Sequence, residues 1–233
     1  KKLNSIDRGH NQLGWLDARH SFSFGSYRNP AYMHFASLRV LNEDRVRGGA
    51  GFDMHPHSNF EIVTYMLEGS LAHQDSMGNG STIGRGDVQY MSAGSGVTHS
   101  EFNASAREEA HLLQIWFFPD VRDTPPRYAQ KHFSDADKKG RWLPIVTPDG
   151  RDGSLPIRQD VQIYATLLEA SDSLVYEAAP ERPLWLQIAR GQVRVNGQPF
   201  EAGDGAGTIG QNIALTDAKD AEILLFDMAP FRS

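Results

Sequence analysis

Two histidines one residue apart, His55 and His57, are answered about forty residues later by His99 and Glu101 in the string SAGSGVTHSEFN. Side chains at positions i and i+2 of an extended strand leave the same face, so each pair would project two donors in one direction. Two facing strands would then supply three imidazoles and a carboxylate. Such a set suits Fe(II), Ni, Mn, Co, Cu or Zn and leaves coordination positions open for a substrate or dioxygen. The other histidines weighed, His10, His20, His34, His111 and His132, stand singly, and each reads by default as a satisfied polar residue.

Composition narrows the chemistry. The 233 residues contain no cysteine, which removes disulfides, thiolate sites and a cysteine nucleophile, so any metal ligand must be nitrogen or oxygen. The net charge is −6, and the short Lys138, Lys139 and Arg141 cluster, read as a solvated loop, makes no basic face for phosphates. Direct nucleic-acid binding is therefore disfavoured. The longest apolar runs, around 112–118 and 223–226, are far too short to cross a bilayer, and no signal-like segment follows Lys1 and Lys2. A soluble, cytoplasmic protein is expected.

The elements that must position the donors read as many short strands. Segments 37–41, 62–67, 70–73, 87–91 and 112–118 are rich in β-formers and punctuated by Gly, Asn and Asp, with Met77–Gly78–Asn79–Gly80 a turn between two of them. Helical periodicity is hard to find. From about 119 to 156 the texture turns to Pro, Asp, Lys and Gly, and a second set of strands follows at 155–168, 174–177, 184–189, 192–195, 207–215 and 221–226, with Asn196–Gly197 as a hairpin turn. We expect an all-β chain of two jelly-roll barrels in tandem: residues 1–125, a connection over 126–156, and 157–233. No histidine follows His132, so the second barrel is expected to lack metal ligands, to support the first and to cover part of its pocket.

Specific motifs match this outline. Gly49, His55, His57, Glu61 and Gly69 resemble the first cupin motif, with the last spacing one residue longer than usual; Gly86, Gly94, Gly96, His99 and Asn103 are similar to the second, with Ser92 where proline is usual and a longer step to His99. The strings HSFSFGSY, SLRVLNEDRV, GFDMHPHSNFEI, HQDSMGN, VQYMSAGSGVTHSEFN and LQIWFFP resemble the pirin family of two-cupin proteins over most of residues 10–120. The resemblance implies one metal in the N-terminal cupin, Fe(II) first among the candidates, held by His55, His57, His99 and Glu101. Glu61, a ligand in ordinary cupins, would then be a supporting group, with Gln89 and Gln114 as other candidates for that role.

The resemblance also implies a reaction: ring opening of flavonols such as quercetin by dioxygen with release of carbon monoxide, Glu101 serving as ligand and as catalytic base. An aromatic pocket wall is expected from Phe22, Phe24, Phe35, Phe52, Met54, Met91 and Phe102, with Phe52 and Met54 the better candidates. A non-catalytic metal and redox sensor acting through a protein partner is the second reading, and a metal that merely staples the barrel is the third.

Overall fold

The computed structural model describes residues 1–231. Twelve strands occupy its first part: β1 (Lys2–Leu3), β2 (Gly9–Gln12), β3 (Leu16–His20), β4 (Leu38–Val46), β5 (Gly51–His57), β6 (Glu61–Glu68), β7 (Ser70–Asp75), β8 (Gly80–Gly84), β9 (Asp87–Ser92), β10 (Val97–Asn103), β11 (Ala110–Phe117) and β12 (Arg127–His132). Eight follow: β13 (Leu143–Thr147), β14 (Leu155–Pro156), β15 (Val161–Leu168), β16 (Leu174–Tyr176), β17 (Pro183–Val195), β18 (Gln198–Glu201), β19 (Gly205–Ile209) and β20 (Ile213–Met228). One α-helical turn, α1 (Asp135–Lys138), interrupts them. The chain is thus all-β, with two cupin barrels in tandem.

In the first barrel a seven-stranded sheet, ordered β12-β9-β6-β11-β4-β3-β2, faces a four-stranded sheet, β5-β10-β7-β8. The turn at Met77 forms as its residues suggest: Gly78 takes a positive φ of 90°, and Asp75 Oδ1 accepts the Met77 and Asn79 backbone N–H groups. The second barrel is one nine-stranded sheet folded over on itself. Its long strands make this possible, because β17 and β20 pair throughout but slip register at 188–190, 190–192 and 192–194. Such bulges bend a sheet. At one of them Gly191 sits at φ 70° with the backbone oxygen of Asp220 so close that a Cβ would stand 2.2 Å from it. The strands expected at 207–215 and 221–226 are accordingly the end of β19 and parts of the continuous β20.

The two barrels meet face to face, and period-two alternation divides each central strand between two destinations. On β6 and β11, Val63, Tyr65, Leu67, Leu113, Ile115 and Phe117 turn to the interface, where they pack with Ile163, Trp185, Leu224 and Phe226. The intervening residues of the same strands face the first barrel's interior. Strands buried on both faces read as continuous apolar runs, which is why LLQIWF shows no alternation.

Residues 126–156 carry more order than a surface connection needs. Strand β12 pairs with β9 at the edge of the first barrel and β13 pairs with β15 in the second, while β1 crosses over to pair with β19. Lys138 is also not part of a solvated loop. It is fully buried, with Nζ 3.1 Å from Asp135 Oδ1, 3.5 Å from Glu222 Oε1 and donating to Tyr65 Oη at 3.2 Å, whereas Lys139 and Arg141 are exposed. A polar seam of Tyr65, Lys138, Arg85, Arg190 and Glu222 therefore joins the barrels at one end of their apolar interface.

Candidate metal centre

The sequence places His55 and His57 on β5, and pairing with β10 sets His55 directly opposite His99 and His57 opposite Val97. The three rings form a compact triangle with centroids 4.5 Å apart for His55–His99 and 4.8 Å for His55–His57 and His57–His99. Gly51 helps the strands close up, since a Cβ there would lie 2.3 Å from the Glu101 carbonyl oxygen.

A bulge shapes the next step. Between His99 and Glu101 the partners on β5 are His55 and Phe52, so three residues on β5 span two on β10. This phase slip puts Phe52 on the same side as His55 and leaves Met54 outside, 58% exposed. The expectation that Met54 lines the pocket is thereby corrected. Phe22 and Met91 are buried in apolar clusters and Phe35 packs against Trp185, so of the expected aromatic wall only Phe24 and Phe52 reach the cavity.

That cavity, about 240 Å³, is lined by Phe24, Asn42, Asp44, Phe52, His55, His57, Ile62, His99, Glu101, Gln114 and Trp116. All four expected donors are on its wall, and among the described residues no lining residue comes from the second barrel. The second barrel packs on the opposite face of the seven-stranded sheet, which corrects the expectation that it covers part of the pocket. Trp116 stacks edge-on against both His57 and Phe24, at 4.8 and 5.4 Å.

Glu61 is settled by chain direction. Residues 58–60 break the extended run between β5 and β6, with Asn59 at φ 55°, so Glu61 does not continue the face of His57. It falls in phase with Val63 and Tyr65 on the interface side, where Tyr90 and Ser92 donate to its two oxygens, Ser92 at 2.7 Å. The serine that replaces the usual proline is thus the partner of this carboxylate.

Hydrogen bonds organise the cavity floor. His20, Asn42, Gln114, Thr64 and Gln89 stand side by side on β3, β4, β11, β6 and β9, one polar residue per strand at one level of the sheet. His20 Nδ1 lies 2.8 Å from Asn42 Oδ1, Thr64 donates to Gln114 Oε1 at 3.4 Å, and Gln114 Nε2 donates to Glu101 Oε2 at 2.8 Å. Nδ1–H of His55 donates to the Asp53 carbonyl at 2.7 Å, which leaves Nε2 as its free nitrogen.

Several buried atoms in this region lack partners: both nitrogens of His99, Nδ1 of His73, Oε1 of Glu101 and Oδ1 of Asp44. Buried polar atoms are ordinarily paired. Nitrogen and oxygen donors converging without partners are what a divalent ion would satisfy, so the side chains fit one. At a mutual reach of 4.8 Å the donors fall into two overlapping groups, His55–His57–His99 and His73–His99–Glu101. His99 belongs to both. His73, across from Glu101 on β7 and 3.1 Å from Asp75 through Nε2, was not singled out in the sequence, although the spacing of His73 and Asp75 repeats the i, i+2 signal.

Electrostatics suit metal loading. Burial, reinforced by the neighbouring imidazoles, pushes His57 down to about 4 and His99 to about 3, so both are neutral donors at neutral pH. Burial pushes Glu101 up to about 7 against the hydrogen bonds from Gln114 and Gln89. Asp44 is likewise raised by burial, and by the charge of Glu101, to about 7. Asn42, Asp44 and Trp116 were not foreseen as cavity residues. The available signal was Asn42 and Asp44 interrupting a phase of β4 that is otherwise apolar, with Leu38, Val40 and Val46.

Comparison with known proteins places this geometry. The family model described as Pirin matches residues 4–117, and that described as the quercetinase C-terminal cupin domain matches residues 144–228. The chain is 44% identical over 225 residues to a protein of Escherichia coli (strain K12) named quercetin 2,3-dioxygenase, covering 96% of each. It is 39% identical over 230 residues to a pirin-like protein of Caulobacter vibrioides, covering 98% of this chain and 97% of that one. The crystal structure of the bacterial pirin YhhW in complex with nickel(II), from Escherichia coli, superposes with a TM-score of 0.94 at 41% identity over 99% of both chains. With that identity running through nearly the whole length of both barrels, the chain belongs to the pirin family.

Proposed function

We propose that this chain is a metal-dependent dioxygenase that opens the central ring of flavonols such as quercetin and releases carbon monoxide. The observation that carries the reading is the convergence of three imidazoles and Glu101 on an aromatic-walled cavity, with His99 and Glu101 Oε1 otherwise unpartnered. The names of its relatives supply the reaction class: oxidoreductase, quercetin 2,3-dioxygenase type. Support for a divalent metal comes from the donor set and from the nickel(II) complex of the related pirin. We assign His55, His57, His99 and Glu101 as the ligands and Fe(II) as the native ion, with Ni, Mn, Co, Cu or Zn as substitutes.

When bound, such an ion would supply Lewis-acid polarisation of a flavonol's hydroxyl and carbonyl oxygens and a redox partner for dioxygen. The protein's own contribution is positional and acid–base. The Asp53 carbonyl and the β5–β10 pairing hold the imidazoles in place. Phe24, Phe52 and Trp116 provide flat apolar walls that exclude water and suit an aromatic ring system. Glu101, held at Oε2 by Gln114 and with Oε1 free of protein partners, is placed to take the proton of the substrate hydroxyl.

The test is aerobic consumption of quercetin, with headspace carbon monoxide, by protein stripped of metal and reloaded separately with each of the six ions. Metal-dependent carbon monoxide is the expected result. No flavonol loss with any ion would remove the enzyme reading and favour a redox sensor acting through a protein partner.

A further inference from the structure

Two polar side chains on the cavity wall take no part in the assignment above. Asn42 and Asp44 lie two residues apart on β4 and so leave the same face, toward the cavity they both line. Both are buried, at 4% exposure each. Their neighbours on β3 and β11 are known from the register: Asn42 stands between His20 and Gln114, and Asp44 between Ala18 and Leu112. Ala18 and Leu112 offer Asp44 no side-chain hydrogen-bond donor.

Asn42 turns its amide oxygen toward His20. His20 Nδ1 lies 2.8 Å from Oδ1, so in the tautomer that protonates Nδ1 the amide oxygen is taken by His20 and Nδ2 is the group left to donate. Asp44 has the opposite character: its Oδ1 is buried without a partner. A free amide donor and a free carboxylate acceptor side by side on one strand match a group that both accepts and donates. A hydroxyl is the simplest such group. Neither residue is an expected metal ligand, and the imidazole triangle lies on the facing sheet, so the hydroxyl recognised here is a second one, separate from the chelated oxygens.

We propose that Asn42 and Asp44 form a specificity subsite that selects aromatic substrates carrying a second hydroxyl away from the metal-chelating one. Asp44 accepts the hydroxyl proton in a hydrogen bond and Asn42 Nδ2 donates to its oxygen, while His20 acts as a positioning residue through Asn42. A substrate without that hydroxyl leaves the buried carboxylate unpaired, which makes discrimination steep. The subsite rests on the flavonol reading above and goes beyond it by naming what distinguishes one flavonol from another.

The experiment compares quercetin with the parent flavonol, which has the chelating hydroxyl and carbonyl and no other hydroxyl, in metal-loaded wild type, Asp44→Leu and Asp44→Asn. Wild type should prefer quercetin by about 10- to 100-fold in kcat/KM. In Asp44→Leu the preference should collapse from both sides, KM rising for quercetin and falling for the parent flavonol, which no longer leaves a buried carboxylate unpaired, with the metal content unchanged. Asp44→Asn keeps the shape and the polarity of the site, so it decides the matter if the leucine variant misfolds, and its preference should fall as well. An unchanged preference, an equal loss on both substrates, or loss of metal would each overturn the proposal. If wild type turns over neither compound, the ring-opening reading fails, and the subsite is judged instead by dissociation constants from tryptophan fluorescence quenching. Quercetin should still bind about 10-fold tighter than the parent flavonol to wild type and equally to Asp44→Leu; equal binding to wild type would overturn it.

Discussion

The two barrels share a fold and differ in what fills them. In the first, the inward phase of the central strands carries polar and ring side chains, Asn42, Asp44, Thr64, Gln114 and Trp116, and an open cavity of about 240 Å³ results. In the second, the corresponding phase carries Leu184, Leu186 and Ile188 on β17 and Ile223 and Leu225 on β20, packed with Val193, Phe200 and Leu215 into a continuous apolar cluster. Aliphatic side chains meeting across a small barrel fill it at the density of a protein interior. The cupin barrel by itself therefore makes no site. A site appears where histidines and a cross-strand polar row replace the filling, and the filled barrel contributes a broad apolar face that backs the sheet beneath the cavity.

If the two barrels divide function and stability in this way, changes in one should spare the other. The largest effect is expected at the imidazole triangle: His57→Ala or His99→Ala should abolish metal retention, measured by elemental analysis, and reduce turnover by more than the roughly 10- to 100-fold typical of losing an outer partner. Glu101→Gln should keep part of the metal yet lower kcat by about 100- to 10,000-fold, as expected when a proton acceptor is removed. In the second barrel, Leu225→Ala should cost about 2–5 kcal/mol of unfolding free energy in denaturant titration, with metal stoichiometry unchanged. Loss of metal in that variant would show that the barrels are not independent in this sense.

Smaller effects sharpen the comparison. Gln114→Leu, which removes the donor that holds Glu101 Oε2, should weaken metal affinity about 10- to 100-fold without unfolding the chain. On the face of β4 opposite Asn42 and Asp44, burial alone would raise the Glu43 carboxyl, but hydrogen bonds from His111 and Arg8 outweigh it and hold the group at about 2. A folded-state value below the ordinary one stabilises the protein above about pH 4.5, and that contribution is lost as pH falls from there through about 2. Glu43→Gln should accordingly flatten the acid limb of stability against pH and leave metal binding at neutral pH intact.

Much of this division was legible in the residues. His55, His57, His99 and Glu101 announce themselves by i, i+2 spacing, because strand alternation makes spacing equivalent to direction. Met54 and Phe52, both expected on the pocket wall, part for the same reason in reverse: a one-residue bulge, which no composition signal marks, breaks the alternation between them and leaves only Phe52 there. Asn42 and Asp44 escaped notice because their destination depends on which neighbours flank β4, and register is a property of the sheet. Lys138 looked like loop because, besides Asp135 on its own helical turn, burial of this lysine needs Glu222 and Tyr65 to arrive from two distant places in the chain.

The most direct test of the central claim is anomalous diffraction at the absorption edge of a reconstituted metal, which locates the ion without assuming its ligands. The account predicts a single strong peak within about 2.0–2.2 Å of one nitrogen from each of His55, His57 and His99 and of a Glu101 oxygen. A peak bounded instead by His73, His99 and Glu101, or a crystal of loaded protein with no peak in the first barrel, would contradict it.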